Sequence, residues 1–277
     1  MTRPILTLTE LVPGVHVWRR VSNGGIVPFG DPGARPGLLL IDTGADDRAA
    51  AGLIQWIERF RAERVVIAQT HGHRDHAWGS AALLARGAEL LAVPAGDGAE
   101  LGWGNGQCLN GLEVKVLALP GHTPDSRAVI VRGVAFAGDA VFAPEILRRM
   151  PIPAYLDVER ALASLEALAG WLQEQGEPAP PGGRWLVPGH GRPLQGAAAV
   201  DAVAGTRAAA ERALAHLGDL LGPPGFGPAP VPTDEDVRDW LASTGTAAQH
   251  AGAFGVWRRV ATAYARELAR RRALSAP

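Results

Sequence analysis

Apolar positions along this chain fall into two kinds of stretch. Short apolar runs read as strands: "GVHVWRR" (Gly14–Arg20), "GLLLIDTG" (Gly37–Gly44), "RVVIAQT" (Arg64–Thr70), "ELLAVP" (Glu89–Pro94), "RAVIVRG" (Arg127–Gly133), "VAFAGDAVF" (Val134–Phe142) and "RWLVPGHG" (Arg184–Gly191). "LEVKVLALP" (Leu112–Pro120) opens with strict alternation, Leu112, Val114 and Val116 on one face and Glu113 and Lys115 on the other. Longer stretches carry the helical period. Asp46–Glu63 places Leu53, Ile54, Ile57 and Phe60 on one stripe, and Trp78–Gly87 and Asp157–Gln175 also read as helices. Asn23–Gly25 reads as a turn and the glycine-crowded Gly96–Gly111 as an irregular loop.

Beyond His190 the pattern becomes purely helical. Gly196–Leu221 is an alanine-rich helix, Gly222–Pro232 a Pro/Gly connector, Asp234–Ser243 a helix capped by Thr233, and Val256–Leu274 a last helix. The arginines of that last helix read as a solvated face. Strands grouped with helices predict stacked α/β layers over 1–195, followed by a helical extension over 196–277. Those later helices either wall a substrate pocket or cover an apolar face.

Composition narrows the partners. Of 277 residues, 47% are hydrophobic and 20% charged, which is the balance of an ordinary soluble globular protein. The net charge is −1 and the longest like-charge block is Arg270–Arg272, so no field suited to nucleic acid is present. Cys108 is the single cysteine, which excludes an internal disulfide and fits a reducing compartment. No run approaches the ~18 apolar residues of a membrane span, and "MTRPILTLTELVPG" lacks the apolar core of a secretory leader. The expectation is a cytoplasmic protein with a small-molecule substrate and neither nucleic-acid nor membrane partner; its oligomeric state is left open.

The chemistry concentrates at "THGHRDHAWG" (Thr70–Gly79), which directly follows an apolar run. Alternate side chains of extended backbone point the same way, so His71 and His73 can converge on one metal ion. Asp75 and His76 can reach a second position close by. The same setting recurs, with a strand followed by glycine and then a polar ligand type: His122 in "ALPGHTPDS", Asp139 in "FAGDAV" and His190 in "WLVPGHG". Five of the eight histidines are used in this way; His16, His216 and His250 lie outside the pattern.

The combination resembles the metallo-β-lactamase superfamily of hydrolases, whose signature is His-x-His-x-Asp-His, then Gly-His, then Asp, then a final Gly-His. Here it stands as His71, His73, Asp75, His76, His122, Asp139 and His190. The resemblance covers Leu11 to Gly191 and implies a four-layered αββα sandwich. It implies one ion held by His71, His73 and His122, another held by Asp75, His76 and His190, and Asp139 bridging both. Asp75 would also orient the attacking water, and the strand-end Asp42 would brace the ligands from behind. Imidazole and carboxylate donors suit two divalent ions, zinc first, with iron and manganese also compatible.

Particular positions separate the branches. His73 stands where the flavodiiron branch carries glutamate, and Asp139 stands where zinc β-lactamases carry cysteine or serine. Glyoxalase II-like thioester hydrolases and lactonase-like enzymes keep the bridging aspartate, and glyoxalase II also has a helical C-terminal extension. The expectation is a dinuclear hydrolase of an ester, thioester or lactone. The alternatives are a mononuclear iron enzyme like the persulfide dioxygenases, and a non-catalytic metal-binding protein on the same fold. Trp78, Trp103 and Tyr155 are candidates for apolar walls of the substrate pocket, Tyr155 equally for a packing residue.

Overall fold

The computed structural model describes residues 4–91, 103–174, 179–222, 231–244 and 254–274. Two six-stranded mixed sheets lie face to face. The first runs in the order β1 (Leu8–Val12), β2 (Val15–Arg19), β3 (Asn23–Phe29), β4 (Gly37–Ile41), β5 (Arg64–Ala68), β6 (Glu89–Leu90). The second contains β7 (Trp103–Leu109), β8 (Leu112–Ala118), β9 (Arg127–Val131), β10 (Val134–Gly138), β11 (Trp185–Pro188) and β12 (Leu194–Gln195), in the order β12-β11-β10-β9-β8-β7. The pairs β4/β5, β5/β6 and β10/β11 are parallel, and the other pairs are antiparallel.

The near-continuous apolar runs have a simple cause: both faces of each sheet are covered. Along β4, Leu39 and Ile41 point into the layer between the sheets, while Leu38 and Leu40 point out against α1 (Asp47–Phe60). Along β10, Val134 and Phe136 point inward, while Ala135 and Ala137 face the helices on the far side. Small outward side chains there let the helices sit close to the sheet. That outer layer comprises α5 (Val158–Gln173), α6 (Ala197–Leu221), α7 (Asp234–Ser243) and α8 (Phe254–Leu274), packed in one apolar cluster with the second sheet. The αββα order expected from the motif pattern is therefore the observed one.

Helix starts follow side-chain chemistry. Asp46 accepts from the Ala49 N–H at 2.7 Å, Asp157 accepts from Arg160 N–H, and Thr233 forms a reciprocal capping box with Asp236.

Several local expectations change. β1 was not anticipated. Asn23–Gly25 is not a turn but the start of β3, because its backbone pairs with β2. Within Gly96–Gly111, residues 103–109 form β7, paired with β8 around Asn110–Gly111; 96–102 lie outside the described residues. The helix expected over Trp78–Gly87 is only the short α3 (Ser80–Leu84), and a separate turn of helix, α2 (Arg74–Ala77), precedes it within the histidine stretch. The expected strand Glu89–Pro94 is described only as Glu89–Leu90, with 92–94 outside the described residues. Short α4 (Pro144–Leu147) lies between β10 and α5.

The C-terminal helices are part of the core. Trp240 is fully buried, donates its indole N–H to the Ala213 carbonyl at 3.1 Å and packs against Tyr264. Trp240→Ala is expected to cost about 3–5 kcal/mol, read as a lowered midpoint in urea denaturation; a loss under 1 kcal/mol would show that these helices carry little of the stability.

Candidate metal centre

Strand direction brings the polar clusters together. β4 and β5 in one sheet, and β8, β10 and β11 in the other, all end at the same edge of the sandwich. Asp42, His71, His122, Asp139 and His190 follow those ends in turn. Asp42 leaves β4 with φ of 55°, a left-handed conformation that aspartate tolerates better than most residues. Its carboxylate accepts from Thr70 N–H and Thr70 Oγ–H, both at 2.8 Å, and faces His76 Nδ1 at 2.7 Å.

The imidazoles of His71, His76, His122 and His190 are each oriented by a partner on the outer nitrogen. His122 Nδ1 donates to the Ala154 carbonyl and His190 Nδ1 to the Val21 carbonyl, both at 2.7 Å. The Thr70 hydroxyl gives its proton to Asp42, so at 3.2 Å it accepts from His71 Nδ1. Nε2 of His71, His76, His122 and His190 therefore faces the centre. His73 presents Nδ1, 2.8 Å from His122 Nε2.

The inward atoms form two groups, His71/His73/His122/Asp139 and Asp75/His76/Asp139/His190, with donors within 4.8 Å of one another in each. Asp139 belongs to both. Its Oδ2 lies 4.0 Å from His71 Nε2 and 3.5 Å from His122 Nε2, while Oδ1 lies 3.5 Å from both His76 Nε2 and His190 Nε2. Asp75 Oδ2 is 3.2 Å from His190 Nε2 and 3.8 Å from His76 Nε2. All seven residues of the motif converge.

The electrostatics differ between the two groups. Burial pushes His71 down to about 3 and also lowers His122. Burial pushes His76 down too, but the Asp42 carboxylate bonded at its Nδ1 and the facing charge of Asp139 outweigh it and carry it up to about 11. For His190, bonds to Asp139 and Asp75 overcome burial and raise it to about 10. Burial would raise both Asp75 and Asp139. The facing His190 imidazole, and for Asp139 also His76, outweighs it and holds both carboxyls below the usual range, Asp139 well below.

The donor set fits divalent ions. The buried Nε2 atoms of His71 and His76 have no hydrogen-bond partner, an arrangement that is costly unless a cation or proton satisfies them. His73 Nδ1 and His122 Nε2 likewise face one another with nothing but such a species to separate their lone pairs. The glycines have local reasons. A side chain at Gly189 would collide with Asp139 Oδ1, and one at Gly121, whose φ is 148°, would run into the Ala161 backbone of α5.

Solved metallo-β-lactamases share this fold. The enzyme from Pontibacter korlensis matches with a TM-score of 0.58 at 19% identity, covering 74% of this chain and 99% of that one. A β-lactamase domain protein from Burkholderia ambifaria matches with a TM-score of 0.65 at 18% identity over 95% of this chain and 88% of that one. The chain has the metallo-β-lactamase fold. Among curated proteins, the hydroxyacylglutathione hydrolase of Chromohalobacter salexigens is 32% identical over 141 residues, 47% of this chain. That match spans about half, 52%, of the relative's length. No family model matches the chain. The resemblance read from the motifs thus recurs at two levels: the fold in the solved structures, and the glyoxalase II side in a sequence match to about half of one relative.

Around this cluster, the wall candidates are placed less simply. Trp78 is half-exposed, donates its indole N–H to Asp47 at 2.8 Å and lies under the Arg74 guanidinium, 3.9 Å from the ring centroid. Tyr155 is fully buried and donates to the Ala140 carbonyl at 2.8 Å, so it packs beneath the site and presents no surface to a ligand. The Trp103 side chain lies outside the described residues. Sequence reasoning missed Thr70, Ser22 and Asn23, and the carbonyls of Val21 and Ala154. A backbone carbonyl leaves no mark in a sequence, and Asn23 looked like a turn residue.

Asp42→Asn tests the brace. The amide would turn an N–H toward the Thr70 hydroxyl and His76 Nδ1, while asparagine still suits the positive φ. Metal affinity is expected to fall roughly 10–100-fold, measured by competition with a chromophoric chelator; unchanged affinity would remove Asp42 from the site.

Proposed function

We propose that the chain is a dinuclear metal-dependent hydrolase that cleaves an ester, thioester or lactone of a small molecule, with zinc as the first-choice metal and iron or manganese as alternatives. One observation carries the reading: Asp139 turns its two carboxylate oxygens toward two separate histidine sets. The similarity to a protein named hydroxyacylglutathione hydrolase supports a thioester among the candidate substrates. The absence of cysteine at the bridging position supports a non-lactam substrate.

Two divalent ions at these donors would lower the pKa of a shared water toward neutrality and polarise an acyl oxygen. The chain's own residues do the rest. Asp75 is only half-buried, so its carboxylate can meet a water at the cleft. It would accept that water's hydrogen bond, aim the oxygen at the acyl carbon, take its proton as the new C–O bond forms, and return the proton to the alcohol oxygen or thiol sulfur that leaves as the acyl bond breaks. Asp139, buried between the sheets, takes no proton and holds the two donor sets in register.

Metal analysis of protein grown without supplementation, with a screen over thioesters, lactones, phosphodiesters and β-lactams, tests the reading. Close to two ions per chain with ester, thioester or lactone turnover is the expected result; one iron per chain with oxygen consumption would favour the persulfide dioxygenase-like alternative. Two substitutions separate the roles. Asp75→Asn is expected to lower kcat about 10²–10⁴-fold with most of the metal retained, whereas Asp139→Ala is expected to lose the metal itself. Equal metal loss in both variants would refute that separation.

A further inference from the structure

The two donor sets are braced from different places. His71 is held through Thr70, and His122 through the Ala154 carbonyl in the loop before α5. Two ligands of the second set, Asp75 and His190, lean on one short segment of the first sheet, Arg19–Asn23, where β2 turns into β3, while His76 is braced by Asp42. Val21 lends its carbonyl to His190 Nδ1 at 2.7 Å. The Ser22 hydroxyl donates to the Asp75 carbonyl at 2.5 Å. Asn23 Nδ2 donates to the carbonyls of Pro188 at 2.7 Å and Gly191 at 2.9 Å, and its N–H donates to Gly189 at 2.7 Å. Arg19 Nε adds a bond to Gly191 at 3.1 Å. Ser22 and Asn23 are buried.

This segment crosses between the sheets. Asp75 and His76 follow β5 of the first sheet, and His190 follows β11 of the second, so their spacing is set by how the sheets sit relative to one another. Arg19–Asn23 is bonded at once to the Asp75 backbone and to the whole Pro188–Gly191 turn. We propose that Ser22 and Asn23 are positioning residues that set the affinity of the second cation position, Asp75/His76/Asp139/His190, separately from that of the first. The proposal rests on the two-ion reading above. Neither side chain contacts an ion or substrate; each acts through the backbone that carries a ligand. Losing Ser22 Oγ frees the start of α2, and losing Asn23 Nδ2 takes the side-chain donor from the buried Pro188 carbonyl, leaves Gly191 its bond to Arg19 alone and lets the His190 turn shift.

The test is calorimetric titration of the full chain with zinc, after chelation and dialysis, for wild type, Ser22→Ala, Ser22→Thr and Asn23→Ala. Thermal unfolding of each chelated protein is followed by circular dichroism. The expected result is a second binding constant weakened about 10–100-fold in Ser22→Ala and Asn23→Ala, a first constant within twofold of wild type, and recovery in Ser22→Thr, which keeps the hydroxyl. Should Asn23→Ala not fold, Ser22→Ala, which removes a single oxygen atom, carries the same comparison. Parallel loss of both constants, as general loosening of the fold would produce, or an unchanged second constant overturns the proposal while leaving the two-ion reading intact. A wild-type chain that saturates at one zinc overturns both.

Discussion

Asp139 is a carboxylate buried where two sheets meet, with imidazole nitrogens on either side of it. A buried charge without compensation costs several kcal/mol, so this one holds its place only if His71, His76, His122 and His190 converge on it. Those four come from loops after β5, β8 and β11, in two different sheets. Satisfying one carboxylate therefore demands that the sheets pack face to face with their strand ends aligned. The apolar layer of Val27, Leu39, Ile41, Val129, Phe136 and Val187 supplies that alignment. Core packing and site chemistry are the same constraint seen from two sides.

The bracing around this centre is graded. Asp42 and Thr70 tie the ends of β4 and β5 to one another and to two of the imidazoles, all within one sheet. On the helical side, Tyr264 of α8 donates to the Pro153 carbonyl at 2.9 Å, next to Ala154, whose carbonyl orients His122. The C-terminal helices thus do more than cover an apolar face: they fix the loop on which one ligand depends. The fully buried phenols of Tyr155 and Tyr264 are both pushed up by burial and stay neutral, acting as hydrogen-bond donors to carbonyls.

Much of this was legible along the chain because each ligand type stands directly after an apolar run, and a strand's end is where a side chain leaves the sheet. The helices of 197–221, 234–243 and 254–274 were equally plain from their period and the Thr233 cap. What failed did so for identifiable reasons. Asn23-Gly24-Gly25 carries turn chemistry, yet its glycines are there because the Trp18 and Phe136 rings press on the strand, a contact from outside the local window. β7 is glycine-bearing and polar for the same class of reason: its partner strand β8, not its own propensity, makes it a strand. Tyr155 looked like a pocket wall because a tyrosine beside prolines fits either role, and only its surroundings separate them.

Residue order by itself marked the candidate donor residues, the succession of strands and helices and the glycines beside them; the αββα order was what the family resemblance implied. These depend on side-chain type and on periods of two or 3.6 residues, which are local. Tertiary structure alone decided which oxygen of Asp139 faces which histidines, which nitrogen of each imidazole points inward, and that Arg19–Asn23 bridges the sheets beneath His190. Those depend on carbonyls and side chains from 32 to 169 residues away in the chain, brought into reach only when the two sheets close on their shared apolar layer.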